Sequence, residues 1–345
     1  MKTTIASFLL VLCLYNPLWS QTDEVRKLIQ EGIELHDKRL YAAAIERYKE
    51  AIKLDPNSAA AYYEMAYSYA LMGETKKSIK NANKVLKLGG SLEGQAYMLK
   101  ANLLDDMGKT SKALKTYEIA LAENPDDYLM HFNYGISLVR AQMLERGEIA
   151  LLNGAQLNPS HPSGHYILGL IMTDKGEYAQ AIMSLYYFLL LEPEGERADK
   201  AHELLMQNIV GNATKEEDGS INITLNALTA TGTFATANTL ISLLGAAADE
   251  INKEKGIERS PAQLNNDRFK NAFNYLMELD ADNPTEAEQI WLDLYVDFYR
   301  KLLEEEQHLE TASFLVQGPG DDDEVKEWLL GHQKEVQRLQ TFVGK

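Results

Sequence analysis

A period of 34 residues runs through the first half of this chain and constrains its fold more than any other feature. "AAIERYKEAIKLDPNS" at 43–58 is echoed by "KALKTYEIALAENPDD" at 112–127 and "QAIMSLYYFLLLEPEG" at 180–195. Each stretch has a small second residue, a Tyr or Leu four residues later, and a Pro twelve residues after the small one. With each Pro at position 32, units begin at Val25, Ala59, Gly94, Tyr128 and Pro162, with one extra residue between the second and third. Position 8 is then Gly32, Ala66, Ala101, Gly135 and Gly169, and position 20 is Ala44, Ser78, Ala113, Gly147 and Ala181. Position 27 is Ala51, Val85, Ala120, Gly154 and Phe188, and position 32 is Pro56, Gly90, Pro125, Pro159 and Pro193. Recurrence at such a period marks an array of supersecondary units.

Each unit holds two apolar-periodic segments joined by short turns such as "LMGETKK", "DMGKTSK" and "DKGEYAQ", which predicts a helix hairpin. Small residues at positions 8 and 20 let the two helices approach closely. Larger ones, such as Tyr62, Met65, Tyr69, Tyr97, Leu104 and Tyr117, fill the space around that contact. Pro at position 32 lacks the N–H that would continue the second helix, so it sets the stop. One hairpin buries only part of its apolar surface, and stacked neighbours complete the core.

This joint pattern resembles the tetratricopeptide repeat over 25–195. The resemblance implies an all-α fold, a right-handed α-solenoid of helix hairpins. It departs from the family at Val85, Gly90 and Phe188. Residues 196–210 predict one more amphipathic helix, with Ala201, Leu204, Leu205 and Ile209 on one side, capping the stack. The expected organisation is therefore a leader at 1–20, a solenoid at 21–210 (repeats 25–58, 59–93, 94–127, 128–161 and 162–195) and a helical C-terminal region at 211–345.

The leader follows from order and composition. "MKTTIASFLLVLCLYNPLWSQ" has one Lys, an apolar run from Ile5 to about Tyr15, a break at Asn16-Pro17 and a small Ser20. That is the order of a secretory signal peptide cleaved after Ser20, so an exported protein, periplasmic or secreted, is expected. An uncleaved anchor stays open, although the run is short for a span. Leu12 stands before Cys13 where a lipoprotein signal has a small residue, so lipidation is not expected. Cys13 is the only cysteine. A mature chain without it has no disulfide, catalytic thiol or thiolate metal site.

The net charge of −17 is uneven. Residues 21–210 hold 21 Lys+Arg against 26 Asp+Glu (21 − 26 = −5), and residues 211–345 hold 12 against 25 (12 − 25 = −13). Such a balance argues against nucleic acid and anionic lipid as partners, and no later run is long enough to span a membrane. The acidic half suits a solubilising surface or a basic partner.

Beyond a linker at 211–220 the period is lost. "SINITLNALTATG" predicts a short strand. Helices are expected from about Thr233 to Lys253, from Ser260-Pro261 (with Phe269, Phe273, Leu276 and Met277), from Pro284 (with Ala287, Ile290, Trp291, Leu294 and Phe298), and from Asp323 to about Phe342.

The family resemblance implies that positions 2, 5, 6, 9, 12 and 13 of each first helix line a concave groove. Among them are Tyr63, Tyr67, Met98, Asn102, Asp105, Phe132, Asn133, Ile136, Arg140, Tyr166 and Leu170. Aromatic and Met anchors among amides suit a protein or peptide ligand, and the alternative is that some only pack against the next helix. Asn102 and Asn133 match places where some members clamp a partner's terminal carboxylates. Ile29, Gln95 and Leu99 replace the basic residues of that clamp, so an acidic C-terminal peptide of that kind is not expected.

No metal or cofactor is expected. His161 and His165 in "HPSGH" flank the helix start without a third ligand, and His165 shares position 4 with His131, a packing place. "GPGDDDE" at 318–324 lacks the spacing of a calcium loop, and "TATGTFAT" at 229–236 lacks the Lys-Ser/Thr of a phosphate cradle. "NAT" at 212–214 and "NIT" at 222–224 fit glycosylation acceptors. No G-x-S-x-G or H-E-x-x-H occurs. The expected function is a non-catalytic scaffold holding a partner protein in its groove. The alternative makes the repeats an arm that targets a catalytic or small-ligand domain in the tail.

Overall fold

The computed structural model of the protein describes residues 17–210, 213–215, 221–223, 233–241, 256, 258–277, 283–317 and 323–343. Most of the leader, the "TATG" stretch, 242–253 and the first part of "GPGDDDE" lie outside them. The fold is all-α, a run of consecutive helix hairpins in the solenoid class, and the chain packs as two compact units, 1–125 and 126–345.

The first unit has three hairpins: α1 (Pro17–Asp37) with α2 (Tyr41–Leu54), α3 (Ala59–Leu71) with α4 (Thr75–Leu88), and α5 (Glu93–Asp106) with α6 (Thr110–Glu123). The second unit opens with two more, α7 (Tyr128–Arg140) with α8 (Leu144–Leu157) and α9 (Pro162–Lys175) with α10 (Tyr178–Leu191), followed by α11 (Glu196–Val210). Starts and stops are written locally. Ser58 Oγ accepts from the Ala61 N–H (3.3 Å), and Asp127 Oδ1 from the Met130 N–H (3.1 Å), while Pro162 takes the first-turn place that costs no donor. α2, α6, α8 and α10 each end one or two residues before their Pro, as the restricted pre-proline residue requires. α4 ends on Gly89 and Gly90, both at positive φ, where the Pro is missing.

Every hairpin turns on a left-handed residue at position 15: Gly73, Gly108 and Gly176 in three repeats, Arg39 (φ 61°) and Gln142 (φ 60°) in the others. The backbone shape is thus the same in all five, although only three use the residue that adopts it freely. Close helix approach is equally local. A Cβ on Gly32 would lie 2.3 Å from the Tyr48 ring, one on Gly135 2.7 Å from Leu151, and one on Gly169 2.5 Å from Leu185. Glycine at position 8 therefore goes with a large side chain at position 24 lying across it. In the second repeat the pair is Ala66 and Ala82, both fully buried.

The C-terminal region differs from expectation in four places. Residues 213–215, read as linker, form β1 (Ala213–Lys215), which pairs antiparallel with β2 (Ile221–Ile223). A short helix covers 235–241, and α12 (Pro261–Met277) starts where Ser260 Oγ accepts from the Gln263 N–H. The next helix begins with a reciprocal Thr285–Glu288 capping box and runs continuously through α13 (Glu286–Trp291), a π-helical segment Leu292–Val296 and α14 (Asp297–Glu304). Its wider turn re-phases the apolar face, so Tyr295 and Tyr299 are fully buried while Leu294 and Phe298 are only partly so. An additional helix, α15 (Glu306–Val316), follows. The last expected helix is two, α16 (Asp323–Gly331) and α17 (Gln333–Val343), parted at Gly331-His332. There the His332 ring stacks on Trp328 at 4.0 Å and Nδ1 meets the Trp328 carbonyl.

The core of the second unit is continuous from Leu151 to Val343 and centres on α10, in which every residue from Ala179 to Leu190 is buried. "YAQAIMSLYYFLLL" is apolar around its whole circumference, so a hairpin partner on one side alone could not satisfy it. The tail helices supply the other side.

Candidate functional site

On the first unit, the first-helix face carries Tyr63, half-buried, and Tyr67, 42% exposed. Tyr67 stacks on His36 of α1 (5.2 Å between centroids, 18° between planes), and His36 Nδ1 lies 2.8 Å from Ser68 Oγ. Burial pushes the Tyr63 hydroxyl above its usual range, with Glu64 and Tyr67 adding to it. Glu64 is raised as well, by burial and then by Asp37. Met98, Asn102 and Asp105 are half-buried on α5. Asn102 Oδ1 accepts from the Tyr117 hydroxyl of α6, which ties the amide to the second helix of its own hairpin.

On the second unit the corresponding residues do more packing. Phe132 stands edge-on to His161 at 4.9 Å. Asn133 Nδ2 donates to the Leu129 carbonyl one turn back (2.9 Å). Tyr166 packs on Phe188 of α10 (5.0 Å), and the Arg197 guanidinium sits over both rings at 5.7 and 5.4 Å while donating to Ser163 Oγ (3.0 Å) and Glu192 Oε1 (3.0 Å). Ile136 and Leu170 are half-buried, and Arg140 is exposed. The structure thus places Tyr63, Tyr67, Met98, Asn102 and Asp105 in the first unit and Phe132, Asn133, Ile136, Arg140, Tyr166 and Leu170 in the second.

A second set of contacts, not anticipated from sequence, lies on the helices α8, α9 and α10. Trp291 Nε1 donates to Glu148 Oε1 (2.9 Å), and Lys175 Nζ holds the other carboxylate oxygen at 2.8 Å. Tyr299 donates to the Met183 carbonyl (2.5 Å), and the Tyr186 hydroxyl lies 3.2 Å from Ser313 Oγ. Asn238 Oδ1 accepts from the Ala179 N–H at the start of α10 while its Nδ2 donates to Glu177 Oε2, both at 2.7 Å. His165 is fully buried. Its Nε2 meets the Pro159 carbonyl at 2.7 Å, which can only accept, so Nε2 carries the proton and Nδ1 accepts from the Tyr295 hydroxyl at 2.6 Å. Burial pushes this imidazole down to about 4, so it is neutral at ordinary pH. Trp291, Tyr295 and Tyr299, at i, i+4 and i+8 across the π-helical segment, are the residues that seat the tail. The signal that could have found this surface is the all-round apolar α10.

The tail also has an open polar cleft between α12 and α15, with Arg259, Gln263, Asn266 and Glu310 along it. Its Arg259 is ion-paired to Asp267 (3.0 Å), and its hydroxyl, Ser313, faces Tyr186 in the core.

A sequence profile described as TPR repeat matches residues 34–73, and one described as tetratricopeptide repeat matches 98–162. Anaphase-promoting complex subunit 7 of Mus musculus is 28% identical over 198 residues, 57% of this chain and 35% of that protein. Hsp70-Hsp90 organizing protein 3 of Arabidopsis thaliana is 30% identical over 96 residues, 28% of this chain and 17% of that one. The chain thus spans about a third or less of the length of these relatives. Among solved structures, pilF of Pseudomonas aeruginosa superposes with a TM-score of 0.50 at 15% identity, covering 68% of this chain and 93% of that one, a likeness of fold alone. By its profiles and its consecutive hairpins, the chain carries tetratricopeptide repeats.

Proposed function

We propose that the protein is an exported, non-catalytic scaffold that holds a partner protein or peptide on the face of its first helices. The observation that supports this reading is a division of labour between helix faces. In the second unit the described tail helices pack mainly on α8, α10 and α11, and reach the first helix α9 at its buried His165. The residues Tyr63, Tyr67, Met98, Phe132, Ile136 and Leu170 keep part of their surface on the first-helix faces. Half-exposed aromatic and Met side chains beside amides are the usual anchors of a protein interface. The relatives named as an organizing protein and a complex subunit agree with a role in holding partners. The tail cleft is open, and its Arg259 is already held by Asp267, which does not favour the reading in which the tail is a catalytic domain.

The test is a cross-linked pull-down from the exported fraction with residues 21–345, beside a Tyr63→Ala, Tyr67→Ala, Phe132→Ala variant whose helicity is verified by circular dichroism. A partner captured by the first and lost by the second is expected. A partner retained equally by both moves the function off the first-helix faces. Mass spectrometry of the exported chain checks the leader, with a mature N-terminus at Gln21 expected.

A further inference from the structure

Position by position, the outward face of a second helix is set by places 18, 22, 26 and 29 of the repeat. In the fifth repeat these are Ala179, Met183, Tyr187 and Leu190, all buried beneath the tail helices. In the second repeat they are Lys76, Lys80, Lys84 and Lys87 of α4, with Lys84 half-buried and the other three exposed. The other repeats show nothing similar: Ala42, Glu46, Glu50 and Lys53 in the first, Ser111, Lys115, Ile119 and Ala122 in the third, Glu145, Ile149, Asn153 and Gln156 in the fourth.

A stripe of four lysines over three turns has a local cost. Like charges at i, i+4 oppose helix formation by about 0.2–0.5 kcal/mol per pair, and α4 contains Lys76–Lys80 and Lys80–Lys84. α2 solves the same problem by pairing Arg47 with Glu50 and Lys49 with Glu46. Among the described residues no carboxylate lies within ion-pair distance of any of the four lysines. Lys84 sits over the Tyr62 ring at 5.6 Å, and Tyr62 and Ile79 put an apolar spot in the shallow recess that the lysines border. A uniformly basic, uncompensated face on a chain of net charge −17 contradicts the surrounding composition, and such local contradictions concentrate at functional surfaces.

We propose that this face of α4 is a docking site for an acidic amphipathic segment of another protein, with carboxylates on the lysines and an apolar side chain against Tyr62 and Ile79. Charge complementarity chooses the class of occupant. A short acidic segment lying along α4 stays within about 8–10 Å of the lysines, where their field dominates and the rest of the molecule is screened. A membrane or a nucleic acid presents its negative charge to the whole acidic molecule at once. The fifth repeat shows that this register of a second helix accepts helical segments laid across it.

The experiment is fluorescence anisotropy on residues 21–345, with a labelled four-turn helical peptide bearing glutamates on one side and leucines on the other. A Lys76→Glu, Lys80→Glu, Lys84→Glu variant is compared with Lys109→Glu, Lys112→Glu, Lys115→Glu at the start of α6, which changes net charge equally. The first variant is expected to bind about tenfold more weakly or worse, the second within about twofold of the parent, and binding is expected to fall as salt rises. Melting temperatures of both variants near the parent's show that the fold survives. Equal losses in the two variants, or none, overturn the proposal. So does tighter binding of phosphatidylserine vesicles or duplex DNA through the same lysines, which would make the face a general polyanion surface. Dimerisation lost with those lysines would make the occupant a second copy and overturn the assignment to another protein.

Discussion

His165 ties three separate stretches of chain together through two hydrogen bonds, to the Pro159 carbonyl and the Tyr295 hydroxyl. The bond from Tyr295 needs the neutral ring, because Nδ1 must accept, and burial depresses the ring to about 4 against the opposing pull of the Pro159 carbonyl. In the unfolded chain it titrates near 6.5. Between those values the unfolded state binds the proton and the folded state does not, so stability rises with pH across that window and is level above it. The span corresponds to about 3 kcal/mol. Denaturant unfolding of the protein and of a His165→Gln variant, from pH 7 to pH 4.5, should show a steeper loss in the parent. His161 and His202, also lowered by burial, act in the same direction in both chains, so the difference isolates His165. Equal slopes would mean that the ring is solvated in the native state. The sequence identified position 4 as a packing place, but the partner, Tyr295, lies 130 residues away, and no local pattern encodes that distance.

At the scale of the helix pair, spacing set by glycine was legible and can be tested by opposite responses within one helix. A Cβ on Gly169 would press against Leu185 Cδ2 at 2.5 Å, and Leu185 is fully buried with no room to swing aside. Gly169→Ala should therefore destabilise the protein by about 1–3 kcal/mol through overpacking. Gly164, in the first turn of the same helix, would meet only Ala155 at 3.9 Å, an ordinary contact. Gly164→Ala should raise stability by about 0.4–1 kcal/mol through the unfolded state. Thermal melts of the two variants decide it, and a shared sign would refute the steric account. Repeat grammar shows itself in this way because each constraint acts within 20 residues of sequence. The tail has no such repetition to average over. Its π-helical segment shifted the buried face from Leu294 and Phe298 to Tyr295 and Tyr299, and α15 had no breaker strong enough to announce it.

For the molecule as a whole, the question is what the C-terminal region contributes to the repeats it covers. In the second unit the answer lies in α10. Met183, Tyr186 and Tyr187 meet the tail through the Tyr299 hydroxyl, through the rings of Phe269, Phe273 and Tyr299, and through Tyr295 and Phe298 respectively. Uncovering three such side chains costs about 1.5–3 kcal/mol each, or about 5–9 kcal/mol together. That is comparable to the full stability of a typical domain, about 5–15 kcal/mol. A chain ending at residue 211 should therefore lose the order of its fifth repeat, bind a hydrophobic dye and associate, while the first unit, whose described core clusters involve no residue beyond 125, keeps its helicity. Dye fluorescence and hydrogen exchange resolved along the chain measure both. If α10 stays protected without the tail, the stack stabilises itself and the C-terminal region is an added layer. If α10 opens, the tail is what closes the array. An ordinary terminal repeat presents a polar outer face for that purpose, and here "YAQAIMSLYYFLLL" has none to present.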